Sequence, residues 1–334
     1  MDILEKMDIW WEMYLLAISG LHNHMMRQMF DVLDSKLFNT KIDSQKKYIT
    51  ATASTVRKNT NIFVTVTTLS LINYVVSPIL LGARGTLPFP GYVPTAAKST
   101  PYFQIIYACQ AIVVCCGATL NITIDLLITS FMVIVCGQYD LLGDSFTNMY
   151  EIAIDKLKKD PNFNTAVVTG LDEKVDSHVY QDLIVNVKHH LQIMDFVAEI
   201  DRAFKWSLFA QFSCSSLVLC LNIYYLSTMK EMNSQASAVV SFTIVVLIQL
   251  FLYCWYGNKV YFKSMDFTDD IYMSNWQKCG AKIRKALCII INRGQKPISI
   301  TAGNFIPVRL ETFISIVKTA YSALTLLQNM DVQL

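Results

Sequence analysis

Charged residues are missing from long blocks of this chain, and each block is long enough to matter. Residues 59–83, 101–124, 206–227 and 232–256 hold almost no Asp, Glu, Lys or Arg. Each therefore reaches the ~20 apolar residues that a bilayer-spanning helix requires. Residues 9–29 form a fifth apolar stretch, rich in Trp10, Trp11, Tyr14, Leu15, Leu16 and Ile18 but interrupted by Glu12, His22, His24 and Arg27. That stretch either crosses the membrane with a wet inner end or lies amphipathically at its surface. The 101–124 block continues in apolar character past Asp125 to residue 136. At ~1.5 Å per residue Asp125 lies about 36 Å beyond Pro101, so it is placed near the far boundary, with the helix projecting out of the membrane. An intramembrane ion ligand is the sharper reading of Asp125. Only four residues separate the 206–227 and 232–256 blocks, which predicts an antiparallel helical hairpin.

The sixth element, residues 308–330, has a different pattern. Thr312, Ser315, Lys318 or Thr319, Ser322, Thr325 and Asn329 recur three or four positions apart, on one helical face. The remainder is Phe313, Ile314, Ile316, Val317, Ala320, Leu324, Leu326 and Leu327. A membrane helix with one hydroxyl-and-amide stripe faces either a wet cavity or a partner's polar groups.

Basic residues fix an orientation. The segments 27–58, 137–204 and 257–307 carry many Lys and Arg, whereas the alternate loops carry very few. The positive-inside rule therefore places the three large segments in the cytoplasm and the carboxyl terminus outside the cell. A G-protein-coupled receptor ends inside, so this topology argues against that class.

Composition agrees with a membrane protein: 53% hydrophobic residues, only 16% charged, and a mean hydropathy of +0.36. The net charge of +2, without a basic run interleaved with aromatics, gives no sign of nucleic-acid binding. Among the nine cysteines, Cys109, Cys115, Cys116, Cys214, Cys220 and Cys254 lie inside apolar stretches without CxxC spacing, so they read as packing residues. The chain shows no Ser/His/Asp set, HExxH, paired carboxylates within spans or phosphate-binding glycine loop, which argues against an enzyme. No internal symmetry or pair of broken helices suggests a transporter. No cofactor is implied.

The cytoplasmic segments are helical in pattern. Ile152, Leu157, Leu183, Val187, Leu191, Met194 and Ala198 recur near helical spacing with charges opposite, and Tyr261, Met265, Ile271, Tyr272 and Trp276 are apolar contacts of another helix. His178, His189 and His190 read as structural contacts, because adjacent histidines on one helix point about 100° apart and cannot share an ion. The apolar faces of these extensions need partners, either one another or other subunits.

Several short motifs, in order, resemble the insect odorant receptor family. They are TLPFPGYVP at 86–94, CGQYDLL at 136–142, KHH at 188–190, YGN at 256–258, DIYMSNW at 270–276 and the closing ETFISIVKTAYS at 311–322. The resemblance covers about 320 residues and implies an all-α membrane protein of inverted topology, acting in olfaction as an odorant-gated, non-selective cation channel. It implies a heterotetramer with a co-receptor subunit in the plasma membrane of a sensory neuron, and a small volatile odorant as ligand. Carried over to this sequence, the pore is lined by Ser315, Lys318, Ser322, Thr325 and Asn329, with Thr325 at the narrow gate. The ligand pocket draws on the outer thirds of the spans: Trp11, Tyr14, Asn73, Tyr74, Tyr107, Cys115, Ser241 and Val245. The subunit anchor includes Tyr272 and Trp276.

The resulting organisation is membrane helices and a first cytoplasmic loop over 1–136, with spans at about 9–29, 59–83 and 101–136. A cytoplasmic helical segment occupies 137–204, a membrane hairpin 205–256, an anchor 257–307 and the pore helix 308–330. The family has seven spans and this chain shows six, starting at what looks like the second. A truncated, non-functional receptor and a gustatory-type receptor channel are the alternatives.

Overall fold

A computed structural model describes residues 29–33, 35, 38, 45–80, 102–158, 171–228 and 234–331. In these, the long apolar blocks do form helices, and the helices are longer than the blocks. Helix α1 is Lys46–Leu80, α2 is Tyr102–Thr147, α3 is Met149–Lys158 and α4 is Leu171–Thr228. Helix α5 is Ser234–Met273, α6 is Ala281–Gly294 and α7 is Leu310–Asp331. A two-stranded antiparallel hairpin, β1 (Thr301–Ala302) with β2 (Ile306–Pro307), joins α6 to α7. The fold is an all-α membrane bundle.

The 58 residues of α4 extend about 87 Å, nearly three times the ~30 Å hydrocarbon core of a bilayer. Each long helix therefore has two regimes. By length and composition α2, α4 and α5 can cross a membrane, yet only 11%, 22% and 33% of their most apolar windows are buried. On α2 the side chains of Ile105, Ile112, Val113 and Leu120 are each more than half exposed. Apolar surface this extensive belongs against lipid or another subunit. Helix α1 is more polar in its expected span, with Asn59, Asn61, Thr65, Thr67, Ser70 and Asn73, and it meets these needs locally and across to α5. Thr65 and Thr67 donate to carbonyls one turn back, and Ser70 and Asn73 reach Ser241.

The well-packed core lies in the other regime. Ile128, Phe131, Met132, Val135, Tyr139, Leu142 and Phe146 of α2 are almost wholly buried. They share one core with Phe196, Ile200 and Phe204 of α4 and Val260, Phe267 and Ile271 of α5. Edge-to-face aromatic pairs, such as Phe131 with Phe196 at 5.8 Å between ring centres, add about 0.5–1.5 kcal/mol each beyond the area they bury. A break at Asn148 separates α2 from α3 within the segment 137–204 that the sequence pattern reads as helical. Residues 159–170 and 229–233, and the candidate span 9–29 apart from Met29, fall outside the described residues.

Two motifs owe their composition to close packing. A Cβ at Gly257 would crowd the Val308 carbonyl oxygen, so only glycine lets α5 approach the entry to α7. Next to it, the Tyr256 hydroxyl receives a hydrogen bond from Asn59 at 2.5 Å, tying α1 to the same place. In CGQYDLL, a Cβ at Gly137 would collide with the Thr52 side chain. Gln138 meanwhile donates to the Phe38 carbonyl at 3.2 Å, and its side-chain oxygen lies 2.8 Å from His189 Nε2.

Candidate functional site

Helix α7 sorts its residues by angle. At about 100° per residue, Phe313, Ile316, Ala320, Ala323 and Leu324 occupy one side, and all five are buried or half-buried. They pack on the protein's own bundle; Phe313 makes an edge contact with Phe251 at 5.7 Å. Glu311, Ser315, Lys318, Thr319 and Ser322 are exposed and line an open groove along the helix. Ile314, Val317 and Tyr321 form an exposed apolar strip beside it.

The hydroxyls of the polar stripe bond within the helix. Thr319 donates to the Ser315 carbonyl and Thr325 to the Ser322 carbonyl, both at 2.8 Å. Ser315, Lys318 and Ser322 share one exposed edge, and Thr325 is half-exposed one turn further. Asn329 lies in α7 at a position whose side chain is outside the described ones. Glu311 extends the stripe toward the start of the helix. The sequence reading overlooked it, although it lies four residues before Ser315.

The base of α7 is held firmly. The Arg309 guanidinium stands 3.7 Å from the centre of the Tyr261 ring, and the Thr312 hydroxyl donates to the Pro307 carbonyl at 2.5 Å. Upstream, the loop Gly303–Phe305 takes φ values of +66° and +70° at Gly303 and Asn304, a left-handed pair that glycine and asparagine accept best. Asp201, Lys205 and Phe209, four residues apart on one edge of α4, each contact this hairpin.

The expected pocket residues divide. Asn73 donates to the Ser237 carbonyl and to the Ser241 hydroxyl, both at 3.2 Å, and Tyr107 donates to the Val75 carbonyl at 2.5 Å. Asn73, Ser241 and Tyr107 are thus brought to one level between α1, α2 and α5. Tyr74 is the neighbour of Asn73 in the chain and is half-buried. Cys115 and Val245 are half-exposed, about two turns from Tyr107 and one turn from Ser241 on their helices. Trp11 and Tyr14 lie outside the described residues.

The two residues expected at the subunit anchor touch each other. Tyr272 is 64% exposed, and its ring centre lies 6.5 Å from that of half-buried Trp276. Trp276 Nε1 donates to the Tyr272 carbonyl at 3.0 Å, and Met273 beside them is also exposed. Among the described residues no group of three or more His, Cys, Asp and Glu could hold a metal ion. Asp125 is buried, with Gln249 and Tyr253 of α5 donating to its two oxygens. That geometry makes it an interhelical clasp.

Comparison with known proteins identifies this architecture. A family model described as 7tm Odorant receptor matches residues 16–321. The chain belongs to the insect odorant receptor family. Odorant receptor 10 of Aedes albopictus is 28% identical over 257 residues, which are 76% of this chain and 63% of that protein. Odorant receptor 94a of Drosophila melanogaster is 27% identical, over 73% of this chain and 58% of its own. This family member thus spans less than two thirds of the length of those relatives. The olfactory receptor OR5 of Machilis hrabei, solved in complex with eugenol, superposes with a TM-score of 0.75 at 16% identity. That match covers 92% of this chain and 74% of the other. The same receptor in a second structure gives 0.77 at 15% identity, over 94% and 76% of the two chains. These two matches establish the shared fold, an all-α helical bundle.

Proposed function

We propose that this odorant receptor is a ligand-gated, non-selective cation channel subunit that assembles with a co-receptor subunit into a tetramer and responds to a small volatile odorant. The observation that carries the reading is the division of α7. Its apolar side packs on its own bundle while Ser315, Lys318 and Ser322 lie on the exposed edge. Hydroxyl and ammonium groups in a membrane segment are costly unless they meet water or polar partners. Copies of α7 gathered round an axis supply the water. Thr325 is the narrow position on that axis and Asn329 lies beyond it. The exposed strip of Ile314, Val317 and Tyr321 then faces the neighbouring subunit.

In this reading the ligand sits among Asn73, Tyr74, Tyr107, Cys115, Ser241 and Val245, with Trp11 and Tyr14 closing the chamber. An apolar chamber with a few polar groups suits a volatile molecule. The segment 257–307 is the cytoplasmic anchor, with Tyr272 and Trp276 offered to the other subunits. The carboxyl terminus is outside the plasma membrane, as the basic loops require.

Co-expression with an insect co-receptor subunit tests this. An odorant from a broad volatile panel should evoke a current carried by Na⁺ and K⁺, and Thr325→Trp should change its conductance or selectivity. Surface-expressed protein that stays silent across the panel would overturn the proposal.

A further inference from the structure

Lys318 is the only basic residue of α7. Its side chain is exposed and forms no ion pair with any described residue. It lies eight residues into the helix, about 12 Å along an element that crosses a ~30 Å hydrocarbon layer. An ammonium at that depth either faces water directly or bends its aliphatic stem back toward the interface from a lipid-facing position.

The angular neighbours of Lys318 decide between these. At about 100° per residue, Thr325 and Glu311 fall about 20° from Lys318 around the helix, Ser322 and Ser315 about 40° and 60° away on one side, and Ile314 and Tyr321 about 40° and 60° away on the other. The two nearest are polar, and the polar neighbours lie on both sides of Lys318 along the axis. The buried or half-buried positions Phe313, Ile316, Ala320 and Leu324 fall on the far side. Lys318 therefore belongs to the polar stripe, on the edge that borders the exposed apolar strip of Ile314, Val317 and Tyr321.

We propose that Lys318 is a selectivity-determining residue of the pore: its ammonium places a fixed positive charge in the water column and slows the passage of cations. The proposal rests on the pore reading of α7. Glu311, two turns toward the start of the helix, carries the opposite charge and concentrates cations at that mouth. The charge at Lys318 scales with the number of copies of this chain in the ring. An assembly with few copies consequently conducts cations better than one with many.

The test is single-channel recording of the complete assembly with the co-receptor, since unitary conductance does not depend on how many channels reach the surface. Lys318→Gln should raise cation conductance about two- to five-fold, the factor expected for one unit charge a few ångströms from a permeating ion in water. Lys318→Glu should raise it further and shift the reversal potential toward greater cation preference, whereas Lys318→Arg should leave both unchanged. Glu311→Gln should lower inward or outward conductance on its own side. Evoked currents whose unitary conductance and reversal potential are the same for Lys, Gln and Glu at 318 would overturn this proposal and leave the channel reading intact. No evoked current from the unsubstituted assembly would overturn the channel reading, and this proposal with it.

Discussion

The carboxylate of Asp201 on α4 accepts two hydrogen bonds from Thr301, one from its backbone N–H at 2.7 Å and one from its hydroxyl at 2.9 Å. One turn further along α4, the Lys205 carbonyl accepts from the Gly303 N–H at 2.9 Å, while the Lys205 ammonium reaches Asn304 at 3.1 Å. After another turn, Phe209 meets Phe305 at 5.3 Å between ring centres. These contacts seat the hairpin that feeds α7 on α4, just where α4 becomes apolar at Trp206. Three successive turns of α4 thus hold the segment that leads into α7.

Asp201→Ala removes the shared acceptor and leaves two donors of Thr301 without it. A hydrogen bond to a charged group contributes about 1.5–3 kcal/mol, toward the lower end where water can compete. The variant should lose about 1–3 kcal/mol of stability, seen as a lower Tm in detergent, and should need more odorant for half-maximal current. Asp201→Asn keeps an acceptor oxygen and should lie between. A Tm and dose–response unchanged in Asp201→Ala would show that the hairpin is held without this carboxylate.

The clasp at Asp125 makes a contrasting prediction. Tyr253 donates to one carboxylate oxygen at 2.6 Å and Gln249 donates to the other, and all three side chains are buried. Asp125→Asn keeps an acceptor for Tyr253 and should be tolerated. Asp125→Leu takes the acceptor away from a buried hydroxyl and amide, each costing about 1–3 kcal/mol. Thermal unfolding of the purified receptor distinguishes them, and equal Tm values for Leu and native would remove the clasp from the account.

Acid should weaken the packed half of the bundle. Burial pulls His189 and His190 down from the ordinary histidine value to about 4, and each is lowered further by a neighbouring cation or imidazole, Arg293 for His190 and His190 for His189. Between about pH 6.5 and 4 the unfolded chain binds protons that the folded protein refuses, so stability falls as pH drops through that window and is fully present above it. Tm should be lower at about pH 5 than at about pH 7.5, and replacing His190 with Phe should reduce that difference. A Tm with the same pH slope in His190→Phe would assign the acid sensitivity elsewhere.

The stripe on α7 and the long apolar blocks are legible in the amino-acid sequence because both are strict patterns: a period near 3.6, and a near-absence of charge over about twenty residues or more. The connection that leads into α7 is harder to read. The amino-acid pattern alone gives 277–300 no element, yet Ile283, Leu287 and Ile290 are spaced as one buried helical face ending at Gly294, where Phe267 and Thr268 crowd in. Short amphipathic helices lack the length that makes a membrane span conspicuous. Gly303-Asn304 is a recognisable left-handed turn pair, but its flanking strands are two residues each and show no alternation. The role of Asp125 is out of reach for another reason. It depends on Gln249 and Tyr253, more than a hundred positions away, and only the crossing of α2 and α5 brings them together.

The central claim is that the polar edge of α7 faces a water column. Its most direct test is cysteine accessibility in the functioning assembly, with the unsubstituted chain as baseline because Cys109, Cys116 and Cys288 are already exposed. Ser322→Cys should react with a water-soluble, positively charged methanethiosulfonate during odorant application and lose current. Leu324→Cys, on the buried side, should stay inert. Modification of Leu324→Cys with Ser322→Cys unaffected would contradict the claim.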